Sequence, residues 1–234
     1  MDKLSHPFAL VFGASGQIGH ACADALAAGG RAVIGTARAA DAARGIVAYD
    51  AFALSDPARA LPEGRFGAVV WAQGANRNDS LLDFDADANL ALYKANALFV
   101  AESLSRLIAE DRLAEGARLV VISSVWQTVA RQAKLSYMMS KAALQGLVMS
   151  AAVDLAPRGI LINAVLPGAL DTPMTRANLS QEQIDRIGAL TPFNRLPAID
   201  DVAATTAFLC SPANTSITGQ FIAVDLGFRN ARLV

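Results

Sequence analysis

Short, almost continuously apolar runs alternate along the chain with longer stretches of helical spacing. FALVF (8–12), RAVIGTA (31–37), GIVAY (45–49), FGAVVWA (66–72), ARLVVIS (117–123), ILINAVL (160–166) and QFIAVD (220–225) read as strands. Runs this uniformly apolar point to strands buried on both faces, as in a parallel sheet covered by helices. The segments 16–28, 86–111, 135–156 and 200–210 carry helical periodicity between them. Seven strands with intervening helices predict one doubly wound α/β domain, a seven-stranded parallel sheet with helices on both faces. The connection RAADAAR (38–44) is short for a full crossover helix. The segment 172–199 stands outside the rhythm and contains a helical piece of its own, SQEQIDRIGAL, so it is a candidate substrate lid.

The remaining chain properties narrow the field. With 234 residues, 53% of them hydrophobic, the chain can bury a sizeable core within a single domain. A net charge of −1 and the lack of a basic run leave no electrostatic footprint for nucleic acid. Cys22 and Cys210 are too few for a disulfide framework or a zinc cluster, and their apolar surroundings point to buried thiols. No metal site is expected. MDKLSHPFALVFG lacks the pattern of a signal peptide, and no apolar segment reaches membrane-spanning length. The expectation is a soluble cytoplasmic protein acting on a small molecule.

ALVFGASGQIG runs from the first strand directly into the first helix, with Gly13, Gly16 and Gly19 at the junction. Glycines there permit a tight turn and close backbone approach, while the helix N-terminus offers unpaired N–H groups to an anion. Ser15, Gln17 and Ile18 complete this candidate phosphate turn. At the end of the second strand, an acid would suit a free ribose 2′-hydroxyl and an arginine a 2′-phosphate. Here Ala37 takes the acid's place and Arg38 follows, which favours NADP(H) over NAD(H). Arg38 as a solvated charge, with Asp41 folding back onto the ribose, is the competing arrangement. Asp50, after the third strand, could accept from an adenine amino group or cap the next turn.

In LSYMMSKAAL (135–144), Tyr137 and Lys141 stand four apart on a predicted helix and so share one face. By itself that spacing describes the polar edge of many amphipathic helices. Alongside GASGQIG (13–19), NALFVAESL (96–104), VVISSVW (120–126), INAVLPGALDTPM (162–174) and ITGQFIAVDLG (217–227), it resembles the short-chain dehydrogenase/reductase family over nearly the full length. The resemblance implies a catalytic Tyr-x-x-x-Lys at Tyr137 and Lys141. It implies a serine thirteen positions before the tyrosine, which selects Ser124 over Ser123, and an asparagine at Asn96. It further implies a nicotinamide pocket shaped by Pro167 and Gly168, with Leu170 donating to the carboxamide through its backbone. Thr172 would bind the carboxamide or a diphosphate oxygen, and Gly74 would lie beside the cofactor.

The implied chemistry suits these side chains. A free tyrosine, with a pKa of about 10, is a poor base near neutrality, and a nearby cation favours its phenolate. Tyr137 would be acid in reduction and base in oxidation, with Lys141 assisting it and binding the nicotinamide ribose. Ser124 would orient the substrate oxygen, and Asn96 would hold a water linking Lys141 to solvent. The expected activity is reduction of a carbonyl, or oxidation of a secondary alcohol, with NADP(H). DTPMTRANLSQEQ is similar to the lid of acyl-carrier-protein reductases, so a 3-oxoacyl thioester is one candidate substrate, with Arg176 meeting its phosphopantetheine or an acidic partner. Polar NRNDS (76–80) suits a sugar or polyol instead. A dinucleotide-binding sensor without turnover is the reading from another class.

Two positions depart from the family pattern. Phe12 replaces the threonine before the glycine turn, whose glycines follow the spacing of the extended branch. Trp71 and Ala72 replace two asparagines after the fourth strand, so the polar ties to neighbouring strands are expected to be missing. The resemblance also implies a homodimer or homotetramer, with helices 86–111 and 135–156 as dimer faces and the C-terminal FIAVDLGFRNARLV as a second interface. Trp126, Met138 and Met139 are candidates for either pocket lining or core.

Overall fold

The computed structural model of the protein describes residues 6–53, 63–172, 175–176 and 180–231. Its strands are β1 (Phe8–Phe12), β2 (Ala32–Ala37), β3 (Ile46–Ala48), β4 (Phe66–Trp71), β5 (Leu113–Ile122), β6 (Leu161–Pro167) and β7 (Phe221–Val224). All pair in parallel in the order β3-β2-β1-β4-β5-β6-β7. The order reverses between β1 and β4, and at such a switch point the connections leave in opposite directions and open a crevice at the strands' carboxyl ends. The chain therefore has the doubly wound parallel sheet its apolar runs predict.

The helices are α1 (Gln17–Ala28), α2 (Ala86–Tyr93), α3 (Phe99–Ala109), α4 (Leu135–Asp154), α5 (Gln181–Gly188) and α6 (Ile199–Leu209). Side chains alternate across the strands and build two cores. Leu10 and Phe12 of β1 join Val100, Leu104 and Leu107 of α3 and Leu144 and Val148 of α4. Ala9 and Val11 point the other way, toward Cys22 and Leu26 of α1 and Val202, Ala203 and Leu209 of α6. Burial pushes the thiols of Cys22 and Cys210 up to about 11 and about 12, so both are inert packing groups. Among the described residues no helix is long and apolar enough to cross a membrane.

Three local features depart from expectation. The predicted helix 86–111 is broken by a π turn, Lys94–Leu98, between α2 and α3. The abbreviated second crossover is a single 3-10 turn, Ala42–Arg44, capped by Asp41, whose carboxylate accepts from Arg44 N at 3.3 Å. Asp41 is thus turned onto its own loop. The third concerns Trp71, which is fully buried and stacks on Phe12, its partner in the β1–β4 register, with ring centres 5.6 Å apart. Tyr49 and Phe99 also pack on Phe12, at 5.2 and 5.6 Å. The indole N–H donates to Ser103 Oγ at 2.8 Å. Phe12 and Trp71 therefore answer each other: an apolar aromatic pair occupies the place where polar ties were expected to be missing.

Trp71→Ala should lower the unfolding free energy by about 3–5 kcal/mol, through lost packing and the cavity left behind. Trp71→Phe, which loses the bond to Ser103 and part of the ring but keeps the stack on Phe12, should cost less, about 1–3 kcal/mol. Restoring the family's residue with Trp71→Asn should be no rescue, because the amide would face Phe12 without a partner. Urea unfolding of the three variants checks this order.

Candidate active site

The glycine turn is set against the end of β4. Gly13 has φ +78°, and a Cβ there would lie 2.6 Å from the Gln73 backbone nitrogen; one at Gly19 would lie 2.2 Å from the Gly13 oxygen. Only glycine fits either place. Gly13 and Ala14 donate their N–H groups to Thr36 O, tying the turn to β2. Helix α1 then starts at Gln17 without a side-chain cap and without an acid in its first turn. Its positive end is left open for an anion. The buried Gln73 Oε1 beside the turn has no protein partner. The turn and the open helix end fit a dinucleotide diphosphate, with Ser15, Gly16, Gln17 and Ile18 along its path, whereas the unpaired Gln73 oxygen is an acceptor that suits a hydroxyl or amino group of such a ligand.

Arg38 is exposed just beyond β2. Arg44 was not among the sequence candidates. The short 3-10 turn folds it back so that its guanidinium lies 3.3 Å from Ala14 O and 3.5 Å from Ser15 O. A crossover too short for a helix was the sequence signal for it. Asp50 Oδ1 accepts from Phe52 N at 3.0 Å, the turn-capping arrangement.

Two of the catalytic candidates, Ser124 and Tyr137, line one cleft of about 150 Å³ together with Ile18, Ser123, Pro167, Gly168 and Leu170, among others. Tyr137 and Lys141 lie on α4, with the ammonium 5.9 Å from the centre of the phenol ring. Burial raises the Tyr137 phenol above its ordinary value, while the Ser124 hydroxyl and then the Arg131 charge draw it back. Burial lowers the Lys141 ammonium to about 8. Its nitrogen donates to Ile122 O, at the end of β5, at 3.0 Å. Ser123 gives its hydroxyl to Gln127 Oε1 at 2.6 Å, whereas Ser124 Oγ accepts from Trp126 N at 3.3 Å and keeps its proton for another acceptor. That difference agrees with the thirteen-residue spacing in favouring Ser124.

Asn96 sits in the π turn and is buried. Its Oδ1 accepts from Ala75 N at 2.7 Å, and its Nδ2 donates to Ala75 O at 3.0 Å and Ser140 Oγ at 2.9 Å. Both amide hydrogens are committed, so the side chain is a clamp on the loop after β4. Gly74 completes that contact: a Cβ there would lie 3.0 Å from Asn96 Oδ1 and 3.7 Å from Lys141 Nζ. Gly168 is required by Asp225, whose Cβ a side chain would meet at 3.0 Å. Thr172 caps its own turn, accepting from Thr175 N at 2.9 Å. In the lid region Arg176 pairs with Asp171 at 2.6 Å, and parts of that segment, including Pro173 and Met174, lie outside the described residues. Trp126 lines the cleft, whereas Met139 is 49% exposed and belongs to neither pocket nor core.

Lys134 was also missed, although a residue three before Tyr137 shares its helix face. It is 5% exposed, lines the cleft, and donates to Asn76 Oδ1 at 2.7 Å. The polar stretch 76–80 is therefore at the cleft, as expected, and Asp79 within it caps α4 by accepting from Ser136 N at 3.0 Å.

The buried ammonium of Lys141 has a consequence for stability. Its folded value of about 8 lies below the unfolded one, so the protonated form is penalised. The unfolded chain holds one proton more than the folded chain between pH 8 and about 10.5, and stability rises with pH across that window. Lys141→Met should therefore stabilise the free protein at pH 7 by up to about 3 kcal/mol. The advantage should shrink toward pH 10; urea unfolding at the two pH values measures it.

Comparison with known proteins shows the family. Residues 58–229 match a family model described as enoyl-(acyl carrier protein) reductase. The chain is 33% identical to the 3-oxoacyl-(acyl-carrier-protein) reductase FabG of Salmonella typhimurium, over 94% of this chain and 96% of that protein. A short-chain dehydrogenase/reductase of Serratia marcescens superposes with a TM-score of 0.83 at 28% identity, covering 95% of this chain and 99% of that one. A gluconate 5-dehydrogenase of Burkholderia cenocepacia, in complex with NADP and tartrate, gives 0.81 at 25% identity and covers 96% of each chain. Built on a glycine turn at the switch point and a tyrosine–lysine pair on α4, and matched along nearly its whole length, the chain belongs to the short-chain dehydrogenase/reductase family and is an oxidoreductase.

Proposed function

We propose that the protein is an NADP(H)-dependent reductase of a small ketone, or the dehydrogenase of the matching secondary alcohol. The observation that carries this reading is the convergence of Ser124 and Tyr137 with the Pro167–Leu170 loop on one cleft, with Lys141 beneath the tyrosine. When bound, the dinucleotide supplies a hydride to the carbonyl carbon, or accepts it from the carbinol. The turn from Gly13 to Gly19 and the N-terminus of α1 would hold its diphosphate, and Pro167, Gly168, Leu170 and Thr172 its carboxamide end. Arg38 and Arg44 would share the 2′-phosphate, and Gly74 would lie beside the cofactor.

Ser124 donates its hydroxyl proton to the substrate oxygen and fixes it beside Tyr137. The Tyr137 phenol gives its proton to the developing alkoxide. Lys141 stabilises the phenolate left behind, and a bound nicotinamide ribose gives its ammonium a second partner. Asn96 acts by position, holding Ala75 and the wall next to Lys141. A relay of protons from Lys141 to solvent past Asn96 would re-protonate the tyrosine between turnovers.

The curated relatives favour a 3-oxoacyl thioester as substrate. A polar substrate such as a hydroxy acid or sugar is a second reading, favoured by Asn76, Arg131 and Lys134 in the cleft. A homodimer or homotetramer is supported by exposed apolar side chains on the expected dimer faces, Leu90 and Tyr93 of α2 and Met149 and Val153 of α4. Cytoplasmic placement is part of the same proposal.

With NADPH and a panel of ketones, 3-oxoacyl thioesters and sugars, Tyr137→Phe should lower kcat by about 10²–10⁴-fold while the cofactor still binds. Cofactor binding without turnover by wild type on the whole panel would favour a sensor. Arg44→Ala should raise the Kd for NADPH about tenfold, the loss of one charge-assisted bond, with little change for NADH. Fluorescence titration of both cofactors decides it.

A further inference from the structure

Lys134 and Arg131 are cations in the cleft that none of the catalytic steps above uses. Lys134 precedes Tyr137 by three residues and Lys141 follows it by four, so one helix face carries the tyrosine with an ammonium one turn to either side. The two nitrogens lie 5.7 and 5.9 Å from the ring centre. Lys141 is buried against the end of β5, where the ribose is expected. Lys134 lies with Asn76 and Arg131 in the wall of the cleft that also holds Ser124 and Tyr137. Arg131 is placed at the rim by its guanidinium over the Trp126 ring, at 5.3 Å, and Trp126 is itself held edge-on by Phe228 at 5.4 Å.

Among the described residues neither cation has an anionic partner within ion-pair distance. The Lys134 ammonium donates to Asn76 Oδ1 at 2.7 Å and Arg77 O at 3.4 Å, both neutral. Asp79 is the acid in its neighbourhood, and its oxygens are taken by the backbone and hydroxyl of Ser136, with Arg77 at 3.8 Å. Among the described residues no carboxylate forms an ion pair with Lys134 or Arg131. The placement of Lys134 is unfavourable in three ways. It is 5% exposed, it is the N-cap of α4 where the helix dipole opposes a cation, and Arg131 is a like charge nearby. Burial and then Arg131 push its ammonium below the ordinary lysine value, with Asp79 opposing. A neutral donor in that place would avoid these costs. A charge kept there needs a counter-ion, and the cleft is where one can enter.

We propose that the substrate carries a carboxylate a few bonds from its reacting carbonyl, and that Lys134 and Arg131 bind it. This rests on the carbonyl-reductase reading of Tyr137 and selects within it a free oxo acid, or its hydroxy acid, over a thioester. The short distance from Lys134 to the tyrosine ring sets the spacing. An anion close to the carbonyl can reach the ammonium while the carbonyl oxygen is at Ser124 and Tyr137. A thioester has no charge at that place, and the phosphate of a pantetheine arm lies many bonds further away. Lys134 and Arg131 are therefore specificity-determining groups, and Ser124 and Tyr137 remain the ones that touch the reacting oxygen.

The test compares kcat/KM with NADPH for 2-oxobutanoate, 3-oxobutanoate and 4-oxopentanoate against their methyl esters, and for the N-acetylcysteamine thioester of 3-oxobutanoate. Wild type should prefer at least one acid over its ester by about tenfold or more, and Lys134→Gln should abolish most of that ratio, chiefly through KM, with Lys134→Arg restoring part of it. Arg131→Gln should lower the ratio less, as befits an exposed cation. Esters or the thioester preferred by wild type, or an acid-to-ester ratio unchanged in Lys134→Gln, would overturn the proposal; the latter would mark Lys134 as a tether for the 76–77 loop. If no carbonyl is reduced, the reductase reading fails separately, and binding judges the anion site. Titration with 3-hydroxybutanoate and 3-hydroxybutanamide, followed by tryptophan fluorescence, should then show acid-selective binding that Lys134→Gln removes. Equal or absent binding of the two would refute the site.

Discussion

The crevice depends on how closely β1 and β4 approach each other at their carboxyl ends. Beneath it, Phe12 and Trp71 stack in register, and above it Gly13 leaves no room for a side chain against Gln73. The first contact holds the two strands together by dispersion and burial. The second brings the turn's backbone against the start of the loop after β4. That loop in turn carries Gly74, Ala75 and Asn76, which border Lys141, Asn96 and Lys134. The cofactor crevice and the substrate cleft are thus connected through a few residues of backbone, which explains why an aromatic pair can stand in for polar strand ties only if both partners change together.

A second constraint is electrostatic. The α4 face places two lysines beside a phenol, and burial opposes the charged form of each. For Lys141 the opposition is strong enough to bring its titration near neutrality. A ligand that offers oxygen atoms to these nitrogens would relieve a penalty already present in the folded chain. The site is in this sense prepared for oxygen-rich and anionic ligands before any arrives, and folding stability is lower as a result.

Much of this was legible in the sequence, for identifiable reasons. The central strands, buried on both faces, have an unbroken apolar signature, and even the less buried β3 and β7 kept enough of it to be found, while the ordered motifs pointed to Tyr137, Lys141 and Ser124 as one group. The choice between Ser124 and Ser123 rested on spacing and agrees with what each hydroxyl is bonded to. The π turn was not legible, because one extra residue within a helix leaves the local composition unchanged. Arg44 was hidden by the brevity of its loop: the short connection was noticed, but its direction of folding is a three-dimensional fact. Lys134 had a readable signal, the three-residue spacing to Tyr137, and was passed over because family motifs drew attention to the lysine on the other side. The departure at Trp71 could be read only as a loss until its partner across the strands was known.

The π turn at Lys94–Leu98 acts on the helix that contains it as a phase shifter. An inserted residue rotates everything beyond it by about 100° about the helix axis. On one side of the turn, α2 presents its surface to α4, and on the other, α3 turns Val100, Leu104 and Leu107 into the core against β5. A regular helix of this length could not satisfy both without bending. The rotation is made in the turn that contains Asn96, so the turn that lets one helix serve two interfaces also delivers the clamp on Ala75. Shortening the turn by a single residue would leave the chemistry of every side chain intact and yet put the two halves of the helix out of step.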